Sequence, residues 1–276
     1  MCPPARPAGV DRCLVTPHDP GMAHDAVPLN RREANRVRRR KEYLDTAAHL
    51  VTTQGLDGLT MQAIAKEVGA AVGTIYTYFP SKSDLVSELQ LIAIGVLTDA
   101  FDQAVANLDE FLDARELEPA DLILTRLCAF GAYFMDVSET YPEEFHLQQI
   151  LLNERREIVD MEDVQRVIPA AFELLGRPRR LLDEAVEHDL LRPGSALERV
   201  IIWVAALNGV SLLDNVARIN PALFDTRRLV RGLTDGLLRG WGAPVEAVAA
   251  AEQRVDYFIE TGPFVPLVPR LVERTQ

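Results

Sequence analysis

The sequence has few of the residues on which metal binding, disulfide bonding or catalysis depends. Its 276 residues include three cysteines and five histidines. The cysteines are too few and too scattered for a disulfide framework, and isolated histidines such as His49, His146 and His188 do not form a ligand set for a metal. Nucleophile elbows, Walker-type phosphate loops and dinucleotide fingerprints are also absent. We therefore predict no metal, no cofactor and no enzymatic activity.

Long apolar runs are missing as well. The least polar stretch, residues 200–213, spans fourteen residues and still contains Asn208 and Ser211, whereas a membrane-spanning helix needs about 20 apolar residues. We expect no membrane span. The proline-rich segment 1–30 lacks the continuous apolar region of a secretory signal. We predict that it is the disordered leader of a cytoplasmic protein, with Met22 as a second candidate for the start of translation.

Charge is distributed unevenly along the chain. The formal net charge is -12, yet residues 31–82 contain nine Lys/Arg against five Asp/Glu, while residues 83–276 contain eighteen against thirty-three. Seven basic residues surround a single acid, Glu33: Arg31, Arg32, Arg36, Arg38, Arg39, Arg40 and Lys41. A basic block of this kind can neutralise phosphates. The sequence therefore predicts a phosphate-binding region at one end of an otherwise acidic molecule.

The segment after the basic block follows a helical period. Four apolar residues at positions i, i+3, i+4 and i+7 define one inward helix face: Leu44, Ala47, Ala48 and Val51. We expect Gly55 to end this helix, Thr60 to cap a second short helix, and Gly69 to permit a tight turn before a third helix over residues 72–79. Two short helices joined by small residues and braced by a longer helix predict a helix-turn-helix.

Two strings within this segment carry a family resemblance. They are Gly-Leu-Thr-Met-Gln-Ala-Ile-Ala-Lys-Glu-Val-Gly at 58–69 and Val-Gly-Thr-Ile-Tyr-Thr-Tyr-Phe-Pro-Ser-Lys-Ser-Asp-Leu at 72–85. Together they closely resemble the TetR family of bacterial transcriptional regulators over about residues 38–90. The resemblance implies an all-α protein with an N-terminal three-helix helix-turn-helix DNA-binding domain (31–84) and a larger helical ligand-binding and dimerisation domain (85–260). Residues 261–276 are assigned to a C-terminal tail.

The resemblance also assigns residues that contact base edges in double-stranded DNA. These are Gln62, Val72, Gly73, Thr74 and Thr77. The Gln62 amide can pair with adenine N6 and N7, whereas Val72 and the threonine methyl groups can only pack on thymine methyl groups or exclude other bases. A plain exposed helix residue is the alternative interpretation of Gln62.

A second set matches family positions that hold phosphates. It comprises Arg38, Arg39, Arg40, Thr60, Tyr76, Tyr78 and Lys82. Hydroxyl groups and charges near helix N-termini position a protein on DNA without reading its sequence. We expect the run 38–41 to form a basic arm ahead of the first helix, suited to a narrow minor groove. For Tyr76 we expect a buried ring with its hydroxyl group outward.

The acidic remainder is predicted to be helical throughout. The expected helices cover residues 81–108, 120–138, 143–160, 164–175, 179–189, 196–219, 226–241 and 245–260. Aromatic residues at helical spacing usually form core, but some could line an effector cavity. The candidates for such a pocket are Phe130, Phe134, Trp203 and Asn208. Asn208 lies in an apolar helix and needs either a ligand or another helix as its partner.

Helices near 197–218 and 223–241 resemble the pair that builds a four-helix homodimer interface in the family. A dimer also meets a geometric need, because two recognition helices can read half-sites one helical turn apart. The predicted function is repression by a homodimer that binds a palindromic operator and is released by an unidentified small-molecule effector. A ligand-independent activator or architectural DNA-binding protein is one alternative, and a helical enzyme or scaffold is a more remote one.

Overall fold

The structure, a computed structural model, describes residues 31–153, 160–213, 217, 219–261 and 268. These residues contain no strand, in agreement with the predicted all-α class. The described helices are α1 (Arg31–Gly58), α2 (Met61–Glu67), α3 (Val72–Tyr76), α4 (Lys82–Asp113), α5 (Pro119–Thr140), α6 (Pro142–Asn153), α7 (Met161–Glu187), α8 (Ala196–Ser211), α9 (Thr226–Trp241) and α10 (Val245–Thr261). The predicted leader, the alternative start at Met22 and nearly all of the predicted C-terminal tail lie outside the described residues.

The N-terminal part of the structure, here called the head, consists of α1, α2, α3 and the first turns of α4 around one hydrophobic core. The predicted inward face of α1 is buried in this core. Gly55 breaks the regular helix geometry with a φ of 70°, close to where the sequence predicted the end of the helix. Leu85, Leu89 and Ala93 of α4 belong to the same core. The core of the head therefore extends beyond residue 84.

Local signals determine where α2 and α3 begin. Thr60 Oγ1 accepts a hydrogen bond from the Ala63 amide at 3.0 Å, which is the N-cap that the sequence predicted. Gly69 makes the turn after α2 at a φ of +65°, a conformation that strains residues with a side chain. Ile75 and Phe79, four residues apart, are completely buried and hold α3 against the head. The helix-turn-helix follows from these short-range features.

Helix α4 joins the head to the rest of the molecule, here called the body. Ser81 Oγ accepts a hydrogen bond from the Asp84 amide at 2.9 Å and caps the helix as predicted. Among the described helices, α4 alone is long and apolar enough to cross a membrane by length and composition. Half of its apolar window is buried inside the protein, and it packs against α5, α6 and α7. Burial of this kind is typical of the core helix of a helical bundle.

The body is built around α5. This helix contacts α4, α6, α7, α8, α9 and α10, and most of its side chains are buried. Tyr133 donates a hydrogen bond from its hydroxyl group to the Leu97 carbonyl of α4 at 2.9 Å. Because a buried tyrosine hydroxyl needs a partner, this bond fixes the position of α5 on α4.

Two predicted helix boundaries in the body are wrong. The sequence predicted a break between 175 and 179, but α7 continues from Met161 to Glu187 with Pro169 and Pro178 inside it. A proline inside a helix costs about 3 kcal/mol, and the packing of α7 against α4, α5 and α8 offsets that cost. Helix α8 ends at Ser211 instead of 219, with Leu212 and Leu213 in a turn. The predicted helix 143–160 is observed over Pro142–Asn153, and residues 154–159 lie outside the described part.

Candidate nucleic-acid interface

The basic block is helical from its first residue. Helix α1 begins at Arg31, so residues 38–41 lie inside it and not in an arm that precedes it. Arginine, lysine, glutamate and alanine all favour a helix, and these residue types make up most of the block. Residues 31–39 are exposed, which places an extension of more than two turns outside the head core. The expected basic arm is therefore a rigid basic helix.

The helical extension forms one wall of an open cleft. Residues 32, 36 and 39 lie on one face of α1, since they are separated by four and three positions. With Thr77 and Tyr78 from the end of α3 they enclose a cleft of about 530 Å³, which we call the basic cleft. Its lining residues are Arg32, Asn35, Arg36, Arg39, Thr77 and Tyr78. Arg32 and Arg36 belong to the basic block that the sequence predicted to bind phosphates, whereas nothing in the sequence singled out the uncharged Asn35.

The predicted base-facing residues lie on the surface of the helix-turn-helix. Gln62, Gly73, Thr74 and Thr77 are exposed, and Val72 is half-buried against the head core. A methyl group added at Gly73 would meet no atom of the protein within 4 Å. This part of α3 is therefore open to close approach by another molecule.

Thr77 and Tyr78 connect this surface to the basic cleft. The Thr77 hydroxyl group donates to the Thr74 carbonyl at 2.7 Å, which orients its methyl group and leaves oxygen lone pairs for a donor. Tyr78 packs edge-on against the buried ring of Tyr43, with the ring centroids 5.1 Å apart. Both residues also line the basic cleft, so the face of α3 and the cleft are continuous.

The expectation that the Tyr76 ring is buried is wrong. Tyr76 is 46% exposed. Ile75 of α3 and Phe79 of the segment that follows take the inward positions, and Tyr76 is rotated by about 100° from Ile75 around the helix axis. Nearly half of the Tyr76 surface is therefore accessible, and its ring is not buried in the head core.

Two of the predicted phosphate ligands are engaged inside the protein. Lys82 donates from Nζ to the Leu56 carbonyl at 2.8 Å, so it caps the end of α1, and burial lowers its pKa. Arg40 is paired with Glu88 of α4 and stacks over the ring of Phe79 at 4.8 Å. These contacts attach α1 to α4. Both residues therefore stabilise the head, and the remaining cationic candidates, Arg38 and Arg39, are exposed.

The candidate effector residues are packed in the body core. Phe130 meets Trp203 edge-on at 4.8 Å, and Phe134 meets Phe145 at 5.0 Å. Phe130 and Phe134 line a cavity of about 60 Å³ that neither Trp203 nor Asn208 reaches. The aromatic cluster is thus mostly filled by its own side chains.

Asn208 has a partner in another helix. Its Oδ1 accepts a hydrogen bond from Gln149 Nε2 of α6 at 2.9 Å, and its Nδ2 donates to the Val204 carbonyl at 2.8 Å. The sequence allowed either a ligand or another helix as the partner of Asn208, and the structure shows another helix. The side chain therefore ties α8 to α6.

The exposed α3, the basic cleft beside it and the turn at Gly69 that joins α2 to α3 define a helix-turn-helix DNA-binding domain. Residues 44–89 of the head match the family described as "Bacterial regulatory proteins, tetR family", within the region that carries the resemblance. That description is one of regulatory proteins, in agreement with the regulator that the resemblance predicted.

Two curated relatives share this region. The chain is 35% identical over 117 residues to the HTH-type transcriptional repressor KstR2 of Rhodococcus jostii (strain RHA1), which covers 42% of this chain and 54% of that protein. It is 44% identical over 48 residues to the HTH-type transcriptional repressor KstR of the same strain, which covers 17% and 23%. The chain therefore spans about half the length of the first relative and about a quarter of the second.

The fold also occurs in solved structures. A protein with unknown function from Rhodococcus sp. RHA1 superposes with a TM-score of 0.54 at 21% identity, over 74% of this chain and 95% of that chain. At this identity the likeness is one of fold.

Proposed function

We propose that the protein is a transcriptional repressor that binds operator DNA as a homodimer through the head. The observation that carries the proposal is the continuity of the exposed face of α3 with the basic cleft, both of which include Thr77. A recognition helix needs phosphate contacts beside it, because these fix the position from which side chains read base edges. The similarity to two relatives named as repressors supports repression.

In the proposed complex α3 lies in the major groove. Gly73 lets the backbone approach the DNA, and Thr74 and Thr77 present methyl and hydroxyl groups to base edges. Gln62 is exposed on α2 and supplies an amide that can pair with adenine. Arg36 and Arg39 hold the phosphates that flank the groove, as exposed guanidinium groups do in sequence-independent contacts.

The body offers a surface that fits a second copy of the chain. Ile201 and Ile202 on α8 are 49% and 46% exposed, and Leu212 in the turn that follows α8 is 59% exposed. On α9, three glycines at intervals of four residues form a stripe: Gly232, Gly236 and Gly240. A methyl group added at any of them would contact nothing. Apolar side chains beside a flat glycine stripe permit close helix packing across a twofold axis. We propose this surface, within the predicted helices near 197–218 and 223–241, as the dimer interface.

Release of the operator by a small molecule completes the proposed mechanism. A ligand that binds better to a conformation with wrongly spaced heads lowers the affinity for DNA by a coupling free energy, and DNA must lower the affinity for that ligand equally. The cavity of about 60 Å³ in the aromatic core is smaller than the roughly 300 Å³ of ordinary ligand pockets. This observation favours the alternative of a ligand-independent regulator unless another site in the body binds the effector.

Selection of bound sequences from a random DNA library by the purified full chain tests the function. We expect an inverted repeat whose half-sites are about 10 base pairs apart, or a multiple of that spacing. Enrichment of a single unrepeated motif would contradict the dimer, and no enrichment at low salt would contradict DNA recognition itself. A reporter gene under the selected sequence then tests repression, since expression must fall when the protein is present.

A further inference from the structure

A larger cleft lies on the other side of α5 from the aromatic core. It is formed by α5, α9 and α10 and has a volume of about 590 Å³, within the range of small-molecule sites. We call it the C-terminal cleft. Its floor is apolar, with three residues of α5 at helical spacing and three from the facing helices: Cys128, Ala132, Met135, Val230, Val255 and Ile259. An apolar group of an organic ligand has matching surface there.

The charged groups around this floor are mostly acidic. Arg227 binds two carboxylates of α5 at 2.6 and 2.7 Å, and Arg231 binds two carboxylates of α10 at 3.1 and 2.7 Å. Arg228 is the third arginine of the cleft. Against these three guanidinium groups stand six carboxylates that line the cleft or pair with its arginines, for a net charge of −3: Asp136, Glu139, Asp225, Glu252, Asp256 and Glu260. An anionic ligand would meet two arginines that are already paired with carboxylates and a third, Arg228, that donates to the Ala222 carbonyl, within an excess of negative charge.

Glu252 identifies where a cation would be held. Its Oε2 accepts from Arg231 Nε at 3.1 Å, whereas its buried Oε1 finds no hydrogen-bond donor among the described residues. Burial raises the pKa of Glu252, and the neighbouring Arg231 opposes that rise. An unpaired buried carboxylate oxygen is costly. Because Oε1 has almost no accessible surface, the Glu252 carboxyl group must rotate toward the cleft before a ligand N–H can reach it. The charge-assisted hydrogen bond would then remove that cost.

We propose that the C-terminal cleft binds a protonated organic amine, with its ammonium group at Glu252 and its apolar part on the floor of Ala132, Met135 and Val255. The identification of this amine as the effector rests on the proposed function, whereas its binding does not. On α9 the cleft residues Arg227, Arg231 and Thr234 lie on the helix face opposite Gly232, Gly236 and Gly240, given 100° per residue. The cleft therefore stays open when the glycine stripe is covered in the dimer.

Calorimetric titration of the full chain with three probes of one shape tests the proposal. The probes are 4-phenylbutylammonium, 4-phenylbutan-1-ol and 4-phenylbutanoate. We expect the ammonium compound to bind at least tenfold more tightly than the alcohol, and the carboxylate to bind least. Tighter binding of the carboxylate, or no binding of the ammonium compound at millimolar concentration, would overturn the proposal.

Substitutions in the lining of the C-terminal cleft test where the amine binds. Glu252→Gln keeps the shape of the side chain and removes its charge, so we expect at least a tenfold loss of ammonium affinity. Glu246→Gln, in the first turn of the same helix and outside the cleft lining, serves as the matched control and must leave affinity unchanged. Ala132→Trp fills the floor and must also abolish binding, with retention of the helical circular dichroism spectrum as the check on folding.

Affinity for the ammonium compound that survives both Glu252→Gln and Ala132→Trp would overturn the assignment of the cleft. Binding of the selected operator is measured in a separate titration, which is carried out without amine first. Failure of that titration would count against the proposed function and would leave the calorimetric result intact.

Discussion

Single residues of the head divide into those that hold the fold and those that face outward. Ile75 of α3 and Phe79 just after that helix are fully buried, whereas Gly73 and Thr74 of α3 are exposed. This division follows from helical geometry alone and was predictable from sequence. The role of Lys82 was not predictable from sequence, because its hydrogen bond to the Leu56 carbonyl spans 26 positions of the chain. A cationic side chain at a family phosphate position therefore serves the protein's own backbone.

Gly73→Ala separates the DNA-binding role of α3 from its stability. The added methyl group meets no protein atom within 4 Å, so we expect the melting temperature to stay the same or to rise slightly. Operator affinity should fall by about tenfold or more, because the methyl group would keep the backbone away from the DNA. Fluorescence anisotropy and thermal denaturation measure the two effects. Gly176→Ala in the body is the control, and an equal loss of affinity there would refute the assignment.

Cys128 tests the burial of the C-terminal cleft floor. Burial raises the pKa of its thiol to about 12, so the thiol stays protonated at pH 8, where the unfolded cysteine is partly thiolate. We expect iodoacetamide to alkylate Cys128 at least tenfold more slowly in the native chain than in urea, as measured by peptide mass spectrometry. Equal rates would show that Cys128 is not buried.

At the scale of helices, the short elements could be predicted and the long ones only in part. The capping residues Thr60 and Ser81 predict where α2 and α4 begin, and the helical period of the apolar residues predicts the inward face of α1. The continuity of α7 through Pro178 could not be read from local signals, because packing against other helices decides it. The basic block illustrates the same limit: the family resemblance suggested an arm, whereas its helix-favouring residues extend α1 and create the basic cleft with Thr77 and Tyr78.

Arg36 and Arg40, one helical turn apart on α1, are expected to respond differently to replacement by alanine. Arg36→Ala should weaken binding to all DNA sequences and reduce the salt dependence of log K by about one unit, with no loss of stability. Arg40→Ala removes the pair with Glu88 and the contact with Phe79, so it should lower the free energy of unfolding by about 1 kcal/mol. Salt titrations and urea denaturation distinguish the two, and exchanged effects would contradict the geometry.

At the scale of the whole molecule, the proposed functions are separated: the basic head binds DNA, and the acidic body binds a second copy and a ligand. The aromatic core around Phe130 and Trp203 is filled, so ligand binding is expected in the cleft between α5, α9 and α10 and not where the sequence suggested. The sequence could not show this cleft, because its carboxylates and arginines come from three helices that meet only in the fold. The glycine stripe lies on the opposite side of α9 from this cleft and is left for a second copy.

Gly236→Arg tests the proposed dimer interface. A long charged side chain in the middle of the glycine stripe would keep two copies apart, although it meets no atom within its own chain at the Cβ position. We expect the variant to sediment as a folded monomer and to bind the palindromic operator at least a hundredfold more weakly. Val245→Glu introduces a charge at an exposed apolar residue of α10 and should leave the dimer intact. A dimeric Gly236→Arg variant would place the interface elsewhere.

Amide hydrogen exchange of the full chain, with and without its selected operator, tests most directly whether α3 and the basic cleft hold DNA. We predict slower exchange on DNA binding in the amides of residues 31–39 and 72–78, and unchanged exchange in the amides of α10. Protection confined to the body, with α3 exchanging at the same rate in both states, would contradict the account.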